Sequence, residues 1–402
     1  MTRPWRVTHV ITRLILGGAQ ENTVASVLGL RQRRGLDVDL VSGPTAGREG
    51  SIEHLVSSIP GCFTLLPHLV RPVHPLHDLL AYRDLVRLFR RRQPDIVHTH
   101  SGKAGILGRL AARRTGVPIV IHTIHGPSFG PFQGRLANLA FISAERLAAR
   151  YTDHFVTVAH AMTRQYLEAG IGTPGQFTRI RSGFDLGPFL GAHRDPELGR
   201  KLGLQPGDFV IGKVARLFRL KGHDELFAAL PAILQRIPNA RVLLVGDGPD
   251  RPRYEAMAAR PPLAGRVIFA GLVPAESVAA HLALMDVLVH LSRREGLARV
   301  LPQAMAARVP VVASDCDGAS EACIDGQTGF LISPDAPGVL VERLATLAGD
   351  ASLGRAMAER GRRLAEEEFS TQRMVGELEA LYRDWIRRKG LGVGGDGMEK
   401  VR

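Results

Sequence analysis

Short unbroken apolar runs alternate with longer stretches of helical period from the N-terminus to about residue 388. Residues 5–16 read as a strand, Gly17-Gly18 as its turn and residues 20–34 as a helix. VDLVSG at 38–43, DIVHTH at 95–100, PIVIHTIHG at 118–126 and HFVTVA at 154–159 read as further strands. Helices are predicted from Asp78 to Arg92 and from Lys103 to Arg114. Leu79, Leu80, Leu85, Val86, Leu88 and Phe89 would pack the first of them on a sheet, and Pro94 closes it. These strands do not alternate apolar with polar residues, which is the pattern of a parallel sheet covered on both faces.

A second run of the same kind starts near Phe209. Its predicted strands lie at 208–217, 240–248, 266–271, 286–292, 310–315 and 328–333, one more strand being placed before the run near TRIRSGFD. Its helices are expected at 223–236, 252–259, 275–284 and 299–307, followed by helical stretches at 337–348 and 351–388. The fold class is therefore α/β, with two Rossmann-like sandwiches. The expected division is residues 1–190, a linker at 191–208, and a second domain at 209–365. A helix at 366–388 is expected to return to the first domain, and the glycine-rich stretch 389–402 to be disordered.

Composition narrows the class. With 45% apolar and 23% charged residues, the 402-residue chain fits a globular protein with a real core. Cys62, Cys316 and Cys323 are too few and too scattered for a disulfide framework or a structural zinc site, so reduced buried thiols are expected. No apolar stretch reaches the length of a spanning helix, since Thr8, His9, Thr12 and Arg13 interrupt the first one. The net charge of +13 is uneven: residues 1–200 carry 25 Lys/Arg against 14 Asp/Glu, the remainder 27 against 25. A basic first half can face nucleic acid, an anionic membrane or a phosphorylated substrate. No helix-turn-helix, zinc or aromatic-basic motif supports nucleic acid. Arg83, Arg87, Arg90 and Arg91, beside Arg92, fall near one side of the 78–92 helix, with Leu79, Val86 and Phe89 turned to the sheet; that side would attract anionic headgroups.

Several constellations could carry chemistry. Gly17-Gly18 lets the backbone approach an anion at a helix start. His98, His100 and Lys103 lie where a strand ends and a helix begins, the place where open parallel sheets bind ligands, although Ser101 could simply cap the helix. His125-Gly126 ends another buried strand. Arg216 and Lys221, five residues apart in a loop, can neutralise a diphosphate leaving group. No carboxylate-histidine metal set and no D-x-D motif stands out, and no metal or other cofactor is expected.

The segment LSRREGLARVLPQAMAARVPVVASDCDGASE at 291–321, with ARL…KG at 215–222 and VGDGP at 245–249, resembles the retaining glycosyltransferases of two-domain GT-B architecture, the group 1 superfamily (family four). That resemblance implies two Rossmann-like domains facing across a cleft, a nucleoside diphosphate sugar donor, and a cell-envelope, exopolysaccharide or lipid-linked glycan acceptor. It implies Gly17 and Gly18 under the donor phosphates, His125 on the transferred sugar, and His100 with Ser101 on the acceptor side. Arg216 and Lys221 would take the diphosphate, and Glu295, with the Gly296 and Leu297 loop, the sugar. Gly246, Gly248 and Val273 would shape the nucleotide pocket, with Glu321 a further acid near the donor. One departure stands out: where the family pattern has a second acid eight residues after the first, this chain has Gln303, whose amide can bind ribose hydroxyls without charge assistance. The resemblance implies a cytoplasmic enzyme at the inner face of a membrane it does not span. A non-catalytic sugar-nucleotide-binding or assembly protein of the same fold is the other reading left open.

Overall fold

A computed structural model describes residues 3–45, 50–100, 102–126, 128–130, 133–334 and 336–391. Contacts divide it into two units, one running to Phe184 and resuming at Thr371, the other spanning Asp185–Ser370.

In the first unit seven parallel strands form one sheet: β1 (Trp5–Ile11), β2 (Leu36–Ser42), β3 (Phe63–Leu65), β4 (Ile96–His100), β5 (Ile119–Ile124), β6 (His154–Thr157) and β7 (Phe177–Arg179). Their order is β3-β2-β1-β4-β5-β6-β7, so the winding direction reverses between β1 and β4. Val7, Ile11, Ile96 and Ile121 meet helices Gly18–Arg31 and Thr371–Arg388 on one face. Val10, Val41 and Val97 meet helices Pro75–Arg92 and Gly102–Thr115 on the other. Helix Thr371–Arg388 seats Val375 against Gly29, where any side chain at 29 would collide with it.

The second unit has six parallel strands: β8 (Phe209–Val214), β9 (Ala240–Val245), β10 (Val267–Gly271), β11 (Val287–His290), β12 (Val311–Ser314) and β13 (Gly329–Ile332), in the order β10-β9-β8-β11-β12-β13. Its reversal falls between β8 and β11. The core gathers Ile211, Leu226, Leu230, Val242, Val289 and Leu344.

Several expectations are corrected. The first strand stops at Ile11 rather than residue 16. The 351–388 helix is two helices, Ala351–Glu368 and Thr371–Arg388, broken at Phe369 and Ser370. Strand β3 and the helices Arg135–Ala149 and His160–Glu168 were not anticipated. Leu79 does not face the sheet; it is exposed, as are Val73 and Leu76. Arg92 turns back to the sheet edge, its Nε 2.8 Å from Asp39. Cys62 and Cys323 are buried, whereas Cys316 is only partly so. The expected disordered stretch begins in described chain, where Lys389 Nζ holds Asp153 at 2.6 Å, and residues 392–402 lie outside the described residues.

Candidate active site

In each sheet the loops after the two strands at the reversal flank a crevice at their carboxyl ends, where α/β sheets place ligands. In the second unit those are the loops after β8 and β11. The first holds Arg216 and Lys221, the second Glu295, Gly296 and Leu297. Lys221 Nζ binds Glu295 Oε1 directly. Ser292 Oγ donates to the same oxygen at 3.2 Å, and Glu295 N–H donates to Asp317 Oδ2 at 2.9 Å. Backbone ties the two loops together, Arg293 N–H donating to Leu220 O at 3.1 Å. Gly222 makes that approach workable: its φ is +72°, and a Cβ there would strike the Leu291 carbonyl.

Arg216 lies over the Phe218 ring at 5.5 Å, and its carbonyl meets His223 Nε2 at 3.0 Å. The turn after β9 is zipped to this loop, with Leu217 N–H donating to Asp247 O at 3.0 Å and Asp250 N–H to Leu217 O at 3.1 Å. Gly246, at φ +128°, sits against the Ala215 carbonyl with no room for a side chain. Gly248 packs as tightly on the Leu217 carbonyl. Val273 is half-buried in the turn after β10. Gln303 is buried on helix Val300–Ala306, every residue of which is buried, and Glu321 is buried in a single 3₁₀ turn, Ala319–Glu321.

Two groups that the sequence reading passed over lie beneath these loops. Lys213, on β8, is fully buried and its Nζ has no hydrogen-bond partner among the described residues. Burial pulls its ammonium down to about 7; the nearby Lys221 charge adds to that, while Glu225 and Glu295 oppose it. His290, at the end of β11, stands 4.0 Å from Glu295 Oε1. Burial first, then the cations Lys213 and Lys221, hold it well below the usual imidazole range. Two buried basic groups whose charge is suppressed thus lie under the Lys221 loop, an arrangement that suits an anion whose charge would favour their protonation.

In the first unit, Gly17 caps helix Gly18–Arg31 with extended backbone, and Gly18 has open space around it. Glu21 stands in that helix's first turn. His125 Nε2 lies 3.1 Å from His100 Nδ1, so these two predicted residues meet. Burial lowers His125 to about 4 and His100 well below its ordinary value. Ser101 lies outside the described residues. Lys103 is drawn away to Asp78 and the Pro72 carbonyl. His122 is buried in the sheet, its Nδ1 2.9 Å from the Thr99 hydroxyl and its ring edge-on to Phe155.

Residues 195–364 match the family Glycosyl transferases group 1, and residues 17–183 match the Glycosyl transferase 4-like domain. The chain is 30% identical to EpsD of Bacillus subtilis (strain 168), a protein assigned as a glycosyltransferase, over 76% of this chain and 80% of that one. It is 27% identical, over 96% of its own length and 98% of the relative's, to the Escherichia coli UDP-Gal:alpha-D-GlcNAc-diphosphoundecaprenol alpha-1,3-galactosyltransferase. Among solved structures, Anabaena HepE in complex with UDP superposes with a TM-score of 0.79 at 22% identity, covering 94% of this chain and all of that one. Sucrose-phosphate synthase from Thermosynechococcus elongatus superposes with a TM-score of 0.80 at 20% identity, covering 96% and 100%.

Proposed function

This chain belongs to the Glycosyl transferases group 1 family, and we propose that it moves a hexose from a nucleoside diphosphate sugar to a hydroxyl of a lipid-linked or polysaccharide acceptor, with retention and without a metal. The observation that carries this reading is the meeting of Lys221 with Glu295 above the buried Lys213, at the reversal of the second sheet.

Cleavage of the sugar–phosphate bond leaves a new negative charge on the diphosphate. Arg216 and Lys221 supply fixed cations where that charge develops, which is where they help most. With two such cations a divalent metal is not needed for charge neutralisation. Glu295 receives sugar hydroxyls, held in place by Ser292 and by its own N–H on Asp317. Gly246 and Gly248 press their turn against the 215–217 loop and, with Val273, shape the floor under the base, while Gln303 takes the ribose hydroxyls and Glu321 stands as a further acid beside the donor. Gly17 and Gly18 present helix N-terminal amides to phosphate oxygens. His125 meets the transferred sugar, with His100 and Ser101 on the acceptor side. The acceptor hydroxyl attacks from the face the phosphate leaves, which retains configuration.

The acceptor class is supported by the names of the relatives, one of which acts on a diphosphoundecaprenol-linked sugar and another in capsular polysaccharide biosynthesis. No helix among the described residues is long and apolar enough to cross a membrane. A peripheral site on an anionic inner membrane surface accords with the exposed Arg83, Arg87, Arg90 and Arg91 and with the exposed leucines of helix Arg135–Ala149.

The test is nucleoside diphosphate release from UDP- and GDP-hexoses, in EDTA, with polyprenyl-diphosphate-linked sugars as acceptors and the product anomer read by NMR. The expected outcome is acceptor-dependent release that Lys221→Ala lowers by about 2–4 kcal/mol of transition-state stabilisation. Donor binding with no release on any acceptor would favour the non-catalytic reading, for which the amide at Gln303 is the specific reason.

A further inference from the structure

Beneath His125 the first sheet carries a continuous chain of hydrogen bonds that leads away from the site. His100 Nδ1 meets His125 Nε2 at 3.1 Å, and His100 Nε2 meets His9 Nδ1 at 2.9 Å. His9 Nε2 meets the Tyr382 hydroxyl at 3.1 Å, and that hydroxyl also binds His98 Nδ1. His98 Nε2 meets Thr123 Oγ1 at 2.6 Å. The register explains the gathering: His9 on β1 lies opposite His98 on β4, His100 follows two residues later on the same face, and Tyr382 comes down from helix Thr371–Arg388. His9, His98, His100, Thr123 and Tyr382 are all buried.

His9, His98 and His100 offer ligand atoms within 4.8 Å of one another, a grouping that could hold a metal ion. Here, however, both ring nitrogens of all three already have partners within the chain of bonds. A neutral imidazole has one N–H and one bare nitrogen, so the links cannot be chosen independently. If the Thr123 hydroxyl donates to His98, then His98 Nδ1–H donates to Tyr382, Tyr382 to His9 Nε2, His9 Nδ1–H to His100, and His100 Nδ1–H to His125 Nε2. His125 is then left with its proton on Nδ1. The opposite polarity would make Thr123 the acceptor and leave its buried hydroxyl proton unmet, because His98 is its one hydrogen-bond partner among the described residues. A buried donor without an acceptor is costly.

We propose that Thr123, His98, Tyr382, His9 and His100 form a one-way hydrogen-bond wire that fixes His125 as the Nδ1–H tautomer, so that it presents a donor to the sugar. These five are positioning residues. The wire does not conduct protons, since its far end is a threonine hydroxyl that does not give up its proton near neutral pH. The functional half of the inference rests on the placement of His125 at the transferred sugar.

The experiment uses full-length protein with ¹⁵N-labelled histidine and reads ring-nitrogen shifts by NMR, His125 being assigned by its loss in His125→Gln. The expected result is a bare Nε2 and a protonated Nδ1 at His125. Tyr382→Phe cuts the wire at its middle, and Thr123→Val removes its far end almost isosterically; neither residue touches His125. Each is expected to raise the Nε2–H form of His125 to a readily measured share and to lower kcat about tenfold with the donor KM unchanged, while Thr123→Ser restores the parent pattern. An Nε2–H His125 in the parent, or no change in both folded variants, would overturn the wire, as would stoichiometric Zn²⁺ binding that is lost in His98→Gln. If the tautomer shifts as expected but His125→Gln still transfers sugar at the parent rate, the wire stands and the placement of His125 fails.

Discussion

Lys221 and Glu295 hold one another directly, joining the loop after β8 to the loop after β11. The family resemblance gives them separate tasks, one on the diphosphate and one on the sugar. Their contact means that a diphosphate drawing on the ammonium competes with a carboxylate already on it. Charge in this site is therefore shared, and the two residues act as a unit.

Removing the competitor should separate binding from turnover. Glu295→Gln is expected to tighten nucleoside diphosphate binding about two- to fivefold, the scale of a partly exposed ion pair worth roughly 0.5–1 kcal/mol. Transfer should fall by about a hundredfold in the same variant, because the group held for the sugar is lost. Calorimetry with UDP alone decides it; unchanged or weaker binding would mean that the diphosphate does not draw on Lys221.

Lys213 gives a proton-linked signature. Its folded value near 7 lies below the ordinary lysine value because burial penalises the ammonium. Between about pH 7 and 10.5 the unfolded chain therefore binds a proton the folded chain does not, and this group's contribution to stability rises with pH across that window. A bound diphosphate should restore the charge, so nucleotide binding at pH 8 is expected to take up roughly one proton. Calorimetry in buffers of different ionisation enthalpy measures this. Lys213→Met should abolish the uptake and raise Tm at pH 7 by about 4 °C, as about 1–2 kcal/mol would in a domain of this size.

The buried histidines set the acid limit. Burial lowers His9 to about 3 and His125 to about 4, and holds His98, His100 and His122 well below 6.5. Unfolded, each takes a proton as pH falls through about 6.5; folded, none does until far lower. The stability they contribute is thus complete above 6.5 and is lost on the way down towards 3–4, each group adding a slope of up to about 1.4 kcal/mol per pH unit. Urea titrations at pH 7, 6 and 5 should show a steep fall, and a His98→Phe, Tyr382→Phe double variant should lessen it by about the share of one histidine. A flat profile in the parent would show that these rings are not held neutral.

The strand pattern was legible because parallel strands covered on both faces carry unbroken apolar runs, as Ile119-Val120-Ile121 of β5 and Val242-Leu243-Leu244-Val245 of β9 do. Strand β3 was not, being three residues at a sheet edge. Helix Arg135–Ala149 was missed although apolar residues run through it, and it seats few of them in the core, since among its side chains only Glu145 and Ala148 are buried. Lys221 and Glu295 could each be found by motif, but their pairing depends on strands β8 and β11 being neighbours, which a linear reading does not fix. The same holds for His9, His98 and Tyr382, distant in sequence and joined only by the β1–β4 register and the returning C-terminal helix.

Arg109 and Glu145, both wholly buried, pair at 2.6 Å and fasten helix Gly102–Thr115 to helix Arg135–Ala149. Arg109 Nε also donates to the Gly105 carbonyl at 2.8 Å. Glu145→Ala leaves a buried guanidinium without its counter-ion and is expected to cost about 3–5 kcal/mol. The double variant Arg109→Met, Glu145→Leu should recover most of that loss. Denaturation midpoints of the three proteins check it, and a loss under about 1 kcal/mol in the single variant would show that the pair is dispensable.

Helix Arg135–Ala149 also bears on membrane association. Leu136 is 85% and Leu139 60% exposed, and Leu147 is exposed as well, with Arg135, Arg146 and Arg150 on the same segment. Helix Gly102–Thr115 contacts both this helix and helix Pro75–Arg92, whose exposed Leu76, Leu79, Arg83, Arg87, Arg90 and Arg91 extend the same combination of apolar and cationic groups. An interfacial surface needs both, the leucines to enter the acyl boundary and the arginines to meet anionic headgroups at up to about 1 kcal/mol each. A helix face that is merely solvated would need neither leucine. The full-length protein is therefore expected to float with vesicles containing anionic phospholipid at low salt and to be released in part by moderate salt, the apolar share persisting. Leu136→Ser with Leu139→Ser should lower the salt-resistant fraction, and Arg87→Glu with Arg90→Glu the salt-sensitive one. Transfer to a short water-soluble acceptor should stay at the parent rate in both variants, since these residues lie outside the proposed donor site. No flotation with anionic vesicles at low salt would rule the surface out.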